Sequence, residues 1–139
     1  MKFACLVYHE QKDASSETDL AAVVAECQDA ASWNEEMRKG GHHVFTAGLQ
    51  SVRTAKTLRQ RNGRLCITDG PFSETKEGLG GLTILEARDL DEALELVSKF
   101  PARLTSVEVR PIMDPASELT DPGDRMVVAA VQRASQPRH

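Results

Sequence analysis

The chain has no apolar run approaching the roughly 20 residues that a bilayer-crossing helix requires. Its N-terminus, MKFACLVYHE, turns polar after eight residues, too early for a secretory signal. These absences predict a cytoplasmic protein with no membrane partner. Excess basic charge is also missing: 17 Lys and Arg stand against 21 Asp and Glu, a net charge of -4, and the basic residues are scattered. Without a basic stripe to neutralise phosphates, nucleic acid is not an expected partner. Cysteine is scarce and odd in number, with Cys5, Cys27 and Cys66 far apart. No disulfide framework follows, and each thiol, lying in an apolar stretch, reads as a small buried hydrophobe. There is no C-x-x-C pair and no H-E-x-x-H. The histidines are His9, His42, His43 and His139, and adjacent His42 and His43 point to opposite faces of a strand, so no metal site is expected. No cofactor is implied either.

What is present is the composition of an ordinary globule: 139 residues, 40% of them hydrophobic, enough for one core. Residues 2–8, KFACLVY, read as a strand buried on both faces. After a turn-rich stretch from His9 to Thr18, apolar residues at Leu20, Val23, Val24, Cys27, Ala30, Ala31 and Met37 give the spacing of an amphipathic helix closed by Gly40 and Gly41. Strands are expected over 43–49, 52–58 and 64–68, the last two joined by Asn62-Gly63, a strong hairpin signal. A polar segment, DGPFSETKEGLGG at 69–81, precedes a strand over 82–87. A second helix spans 89–100, with Asp89 as N-cap, Glu92 completing a capping box and Pro101 as the stop. The final strand covers 105–112. Pro122-Gly123 breaks the chain, residues 125–131 fit strand or helix equally, and the end, SQPRH, reads as frayed.

This order gives an α+β fold, a ferredoxin-like split β-α-β antiparallel sheet with two helices on one face. The other face is bare. A monomer rarely leaves several hundred Å² of partly apolar sheet uncovered, so a homodimer is expected, two sheets stacking into an α/β barrel with a shared interior.

The stretch DGPFSETKE at 69–77, the GLGG that follows, ILEARDLDEAL at 84–94 and EVRPIMD at 108–114 together resemble the YCII-related, DGPF-domain family. The resemblance runs over residues 1–114 and leaves 115–139 as a C-terminal extension. It implies the dimeric α/β-barrel fold and a pocket between sheet and loops. In some shorter members a histidine and an aspartate are proposed as an acid/base pair. Here no histidine occurs in residues 10–41, so the role falls to His9, His42 or His43, with Asp69 as acidic partner at a strand exit.

Each candidate has a structural and a functional reading. Asp69-Gly70-Pro71-Phe72 makes a rigid turn, or brings a desolvated carboxylate to a pocket. Phe72 is a core anchor or the cover over that carboxylate. Lys76, with Glu74 and Glu77, is a solvated run or a lid. Glu108 and Arg110 share one strand face while Val107 and Val109 take the helix face; the charged pair then faces the barrel interior, as an ion pair or as a clamp for a small anionic or carbonyl-bearing ligand. Tyr8 and His9 leave the first strand on opposite sides, one toward the pocket. The expectation is a small-molecule-binding protein with cofactor-free acid/base chemistry of lyase or isomerase type: His9 and Asp69 move the proton, with Tyr8, Phe72, Lys76, Glu108 and Arg110 around the ligand. The alternative is a non-catalytic sensor or interaction module, since relatives of the family resemble partners of alternative sigma factors.

Overall fold

The computed structural model describes residues 1–10, 17–101, 105–114, 119 and 121–135. In chain order the elements are β1 (Lys2–Glu10), α1 (Glu17–Lys39), β2 (His43–Gly48), a 3-10 turn (Val52–Thr54), β3 (Lys56–Arg61), β4 (Arg64–Asp69), β5 (Glu77–Glu86), α2 (Leu90–Ser98), β6 (Thr105–Pro111) and α3 (Pro122–Ser135). Four strands form an antiparallel sheet in the order β2-β5-β1-β6, the arrangement of a ferredoxin-like α+β fold. Among the described residues β3 and β4 pair only with each other.

Local chemistry explains most boundaries. α1 stops at a Schellman cap: His42 N–H donates to Met37 O at 2.9 Å and Gly41 N–H to Arg38 O at 3.1 Å, with Gly41 at φ +76°. The β3–β4 turn has positive φ at both Asn62 (52°) and Gly63 (74°), as the twist-matched type I′ turn requires. At α2, Asp89 Oδ1 accepts from Glu92 N–H at 2.9 Å, and Glu92 Oε2 accepts in return from Arg88 N–H at 2.6 Å, one residue ahead of the cap. The Glu92 N–H bond, followed by Arg88, holds the Asp89 carboxyl below the usual carboxylate range.

Several expected boundaries move. Residues 52–54 form a 3-10 turn rather than strand, because Ser51 caps it by accepting from Arg53 N–H and β3 starts only at Lys56. β5 begins at Glu77, five residues before the expected strand, so the GLGG segment lies inside the sheet and not in a loop. Glycines lower strand propensity but do not prevent pairing with β1. Residues 125–131 are helical, and Pro122-Gly123 starts that helix instead of breaking the chain. Pro122 fits the first helical position, and Asp121 Oδ1 accepts from Gly123 N–H at 2.7 Å. Residues 136–139 of the expected frayed end lie outside the described residues, as does His139.

One face of the sheet carries the core. Cys5, Trp33, Met37 and Leu85 form one buried cluster, joined by Leu96, Val97, Phe100 and Val107; Phe3, Ala87 and Ala93 form another, joined by Leu96 and Val109. Val107 and Val109 thus face the helices. Trp33, 3% exposed, donates its indole N–H to Leu96 O at 3.1 Å and meets Phe100 edge to face at 5.1 Å. That tryptophan ties α1 to α2 across the core. Burial pushes the Cys5 thiol up to about 11. Cys27 and Cys66 are exposed, contrary to the expectation of three buried thiols, because the half of α1 carrying Cys27 and the hairpin carrying Cys66 pack against little.

Candidate functional site

α1 packs unevenly. Its C-terminal half buries Trp33 and Met37, whereas Leu20 (55% exposed), Val23 and Val24 remain exposed although they continue the same apolar stripe. Between this loose half and the sheet lies a cavity of about 560 Å³. Ala22, Val23, Glu26, Cys27, Ala30 and Asn34 wall it from α1; Val7, His9 and Glu10 from β1; Thr46 to Val52 and Leu79 to Thr83 supply the rest, with Phe100 and Pro101. A space of this size with mostly apolar walls and a few polar groups suits a small organic molecule.

The glycines of β5 shape it. The β1–β5 register shifts between Val7 and Tyr8, pairing Val7 with Gly81 and Tyr8 with Leu79 so that Gly80 is the extra residue. The His9 imidazole occupies the space that a Cβ on Gly80 would fill, its Nε2 and Cδ2 foremost. Any larger residue at 80 displaces that ring. His9 Nδ1 lies 3.4 Å from Glu10 O; with the proton on Nδ1, Nε2 carries the lone pair.

Beside this histidine the cavity has a polar floor. Thr46 Oγ1 donates to Asn34 Oδ1 at 3.0 Å and lies 3.1 Å from Thr83 Oγ1, which approaches the same Asn34 Oδ1 at 3.4 Å. His43 Nε2 lies 2.7 Å from Thr46 Oγ1. Thr83, at 3% exposure, is the buried polar residue among the described residues of the sheet. The sequence held a signal for this group: Asn34 sits four residues after Ala30 and three before Met37 on the apolar stripe of α1, and Thr83 interrupts the apolar run of β5.

Of the residues expected at a site, the structure brings only His9 to the cavity. Asp69 ends β4 in the separate hairpin, 85% exposed and ion-paired with Lys56 Nζ. It does not meet His9 in this chain. Gly70 has φ +94°, so the DGPF turn is of the kind anticipated. Phe72 is 76% exposed and therefore no core anchor; the Arg59 guanidinium stacks on its ring 4.8 Å from the centroid. Lys76 is exposed just before β5. Tyr8 points to the bare face, opposite Ser106 and Leu79. Glu108 and Arg110 lie on that face too, bonded to each other at 2.8 Å, since their strand alternates with Val107 and Val109. The cavity lies on the helix side of the sheet and the charged pair on the other. His42 Nδ1 contacts Glu86 O at 2.9 Å, away from His43 and its threonine. Among the described residues no cluster of His, Cys, Asp or Glu could hold a metal, and no helix is long and apolar enough to cross a membrane.

Fold and cavity together define an α+β protein of ferredoxin-like topology with a space between its first helix and its sheet. The model of the YCII-related domain matches residues 1–116, and the chain belongs to that family. An uncharacterised protein of Rhizobium meliloti (strain 1021) is 31% identical over 118 residues, spanning 81% of this chain and 92% of that protein. Among solved structures, the 5-chloro-2-hydroxyhydroquinone dehydrochlorinase of Burkholderia phenoliruptrix, in complex with 2,5-dihydroxybenzoquinone, is 18% identical. The likeness covers 81% of this chain and 94% of that one, with a TM-score of 0.44.

Proposed function

We propose that the protein binds a small carbonyl-bearing molecule in the helix-side cavity and moves a proton on it without a cofactor, in lyase or isomerase fashion. The observation that carries this reading is the seat of His9: a glycine in mid-strand gives its imidazole a place on the wall of a cavity of about 560 Å³. Of the two ligand classes weighed from the sequence, the carbonyl-bearing one fits better. The charged side chains among the described lining residues are both carboxylates, Glu10 and Glu26. His9 Nε2, as a neutral imidazole nitrogen, takes the proton next to the carbonyl and returns it elsewhere on the molecule.

A thermal-shift screen of small ketones and phenolics tests this reading. Compounds that stabilise the wild type are expected to lose their effect on Ala30→Trp, which fills the cavity, and to keep it on His9→Gln, which removes only turnover. Equal shifts for wild type and Ala30→Trp would end the cavity reading.

We also propose that the bare face is a homodimer contact. Ala4, Leu6 and Tyr8 share it with Ile84 and Phe45, the last 50% exposed, flanked by the Glu108–Arg110 pair. A dimer built this way brings Glu108 and Arg110 into a shared interior. Light scattering is expected to give twice the chain mass for the wild type and the single chain mass for Leu6→Lys.

A further inference from the structure

Asn34 stands where its carboxamide can be oriented from one end only. Thr46 donates to its Oδ1 and the Thr83 hydroxyl lies within 3.4 Å of the same atom, so the carbonyl end is held against the sheet. Thr46 spends its single hydroxyl proton on Asn34; the His43 Nε2 at 2.7 Å therefore approaches it as a donor, which fixes the direction of the chain from His43 through Thr46 to Asn34. Aligned hydrogen bonds of this kind reinforce one another. The Nδ2 end has no protein partner among the described residues, and it is not among the sealed unsatisfied atoms, so its N–H groups remain accessible while Asn34 lines the cavity.

We propose that Asn34 is the donor that selects the ligand, by hydrogen bonding from Nδ2 to a carbonyl oxygen, and that Thr46 and His43 are positioning residues that keep this end of the amide turned to the cavity. The assignment rests on the small-molecule reading of the cavity and adds the group that distinguishes a ketone from a hydrocarbon of the same shape. Placement supports it: His9 sits on Gly80 and Asn34 meets Thr83 of the same strand, and both side chains line the one cavity. An apolar isostere would strand the amide N–H groups without water or partner, which is how a polar site rejects the wrong molecule.

The test uses acetophenone and its isostere α-methylstyrene, in which C=CH2 replaces C=O, with affinities measured by ligand-observed NMR on the full chain. Wild type is expected to prefer the ketone by roughly threefold to tenfold, the yield of one neutral hydrogen bond. Asn34→Leu should bind both probes equally while still taking up the alkene. Thr46→Val should narrow the preference and Thr46→Ser should retain it; near-ultraviolet dichroism of Trp33 reports that each variant is folded. A ketone preference that survives Asn34→Leu, or its absence in the wild type while both probes bind, overturns the role of Asn34 and leaves the cavity standing. Failure of both probes to bind wild type overturns the cavity reading itself.

Discussion

The two halves of α1 carry the same apolar spacing and meet different surroundings. From Trp33 to Met37 the stripe lies on Cys5 and Leu85 and is sealed; from Leu20 to Cys27 it faces the cavity or solvent. The difference shows that an apolar face marks where a helix looks, not whether anything touches it. The packed half seals the core and the loose half leaves the cavity.

The strongest way to break this contrast is to truncate the packed half. Trp33→Ala removes a buried ring, its edge contact with Phe100 and its bond to Leu96, and is expected to cost about 3–5 kcal/mol in urea unfolding. A loss below about 1 kcal/mol would mean that the two halves do not differ. Thiol chemistry sharpens the same comparison: iodoacetamide at mild alkaline pH should modify Cys27 and Cys66 rapidly, while Cys5, with its thiol raised to about 11, reacts only on unfolding. Modification of Cys5 at the rate of Cys27, read by peptide mass spectrometry, would contradict the sealed core.

The α2 cap, which supports the packed half through Leu96, gives a smaller effect tied to pH. Because the folded Asp89 carboxyl titrates below its unfolded value, its contribution is complete above the unfolded value and fades as pH falls through the folded one. Acid titration of the melting temperature should therefore show a drop in that window that is absent from Asp89→Ala. Smallest of all, Leu20→Ala on the loose half should change stability by no more than about 0.5 kcal/mol. A change several times larger would place Leu20 in a core it does not show.

Much of the fold was legible because its signals are local. The double glycine after α1, Asn62-Gly63 and the Asp89–Glu92 pair each act within four residues; the first two form the devices their spacing implies, and Asp89 caps α2 while Glu92 reaches back one residue further, to Arg88 N–H. Strand parity placed Val107 and Val109 toward the helices for the same reason. The site was less legible. Of the expected group His9 lines the cavity, whereas Asp69 and Phe72 lie elsewhere, because strand exits carry no information about which strands pair: among the described residues β4 pairs with β3, and its end goes with the hairpin. The polar floor is not legible as a group, because Asn34, Thr46 and Thr83 come from three elements that meet through long-range pairing. GLGG reads as a loop in the sequence because glycine usually punctuates strands, whereas in the fold the missing side chain of Gly80 makes room for the His9 ring within the strand.

The unpaired glycine of β5 makes the chain's most economical change also its most revealing. Deleting residue 80 would straighten the ladder and leave a more regular sheet, yet the imidazole would lose its berth. Regularity and capability are opposed at that single position, so a shortened variant that melts higher and does less would be the natural result of repairing the irregularity.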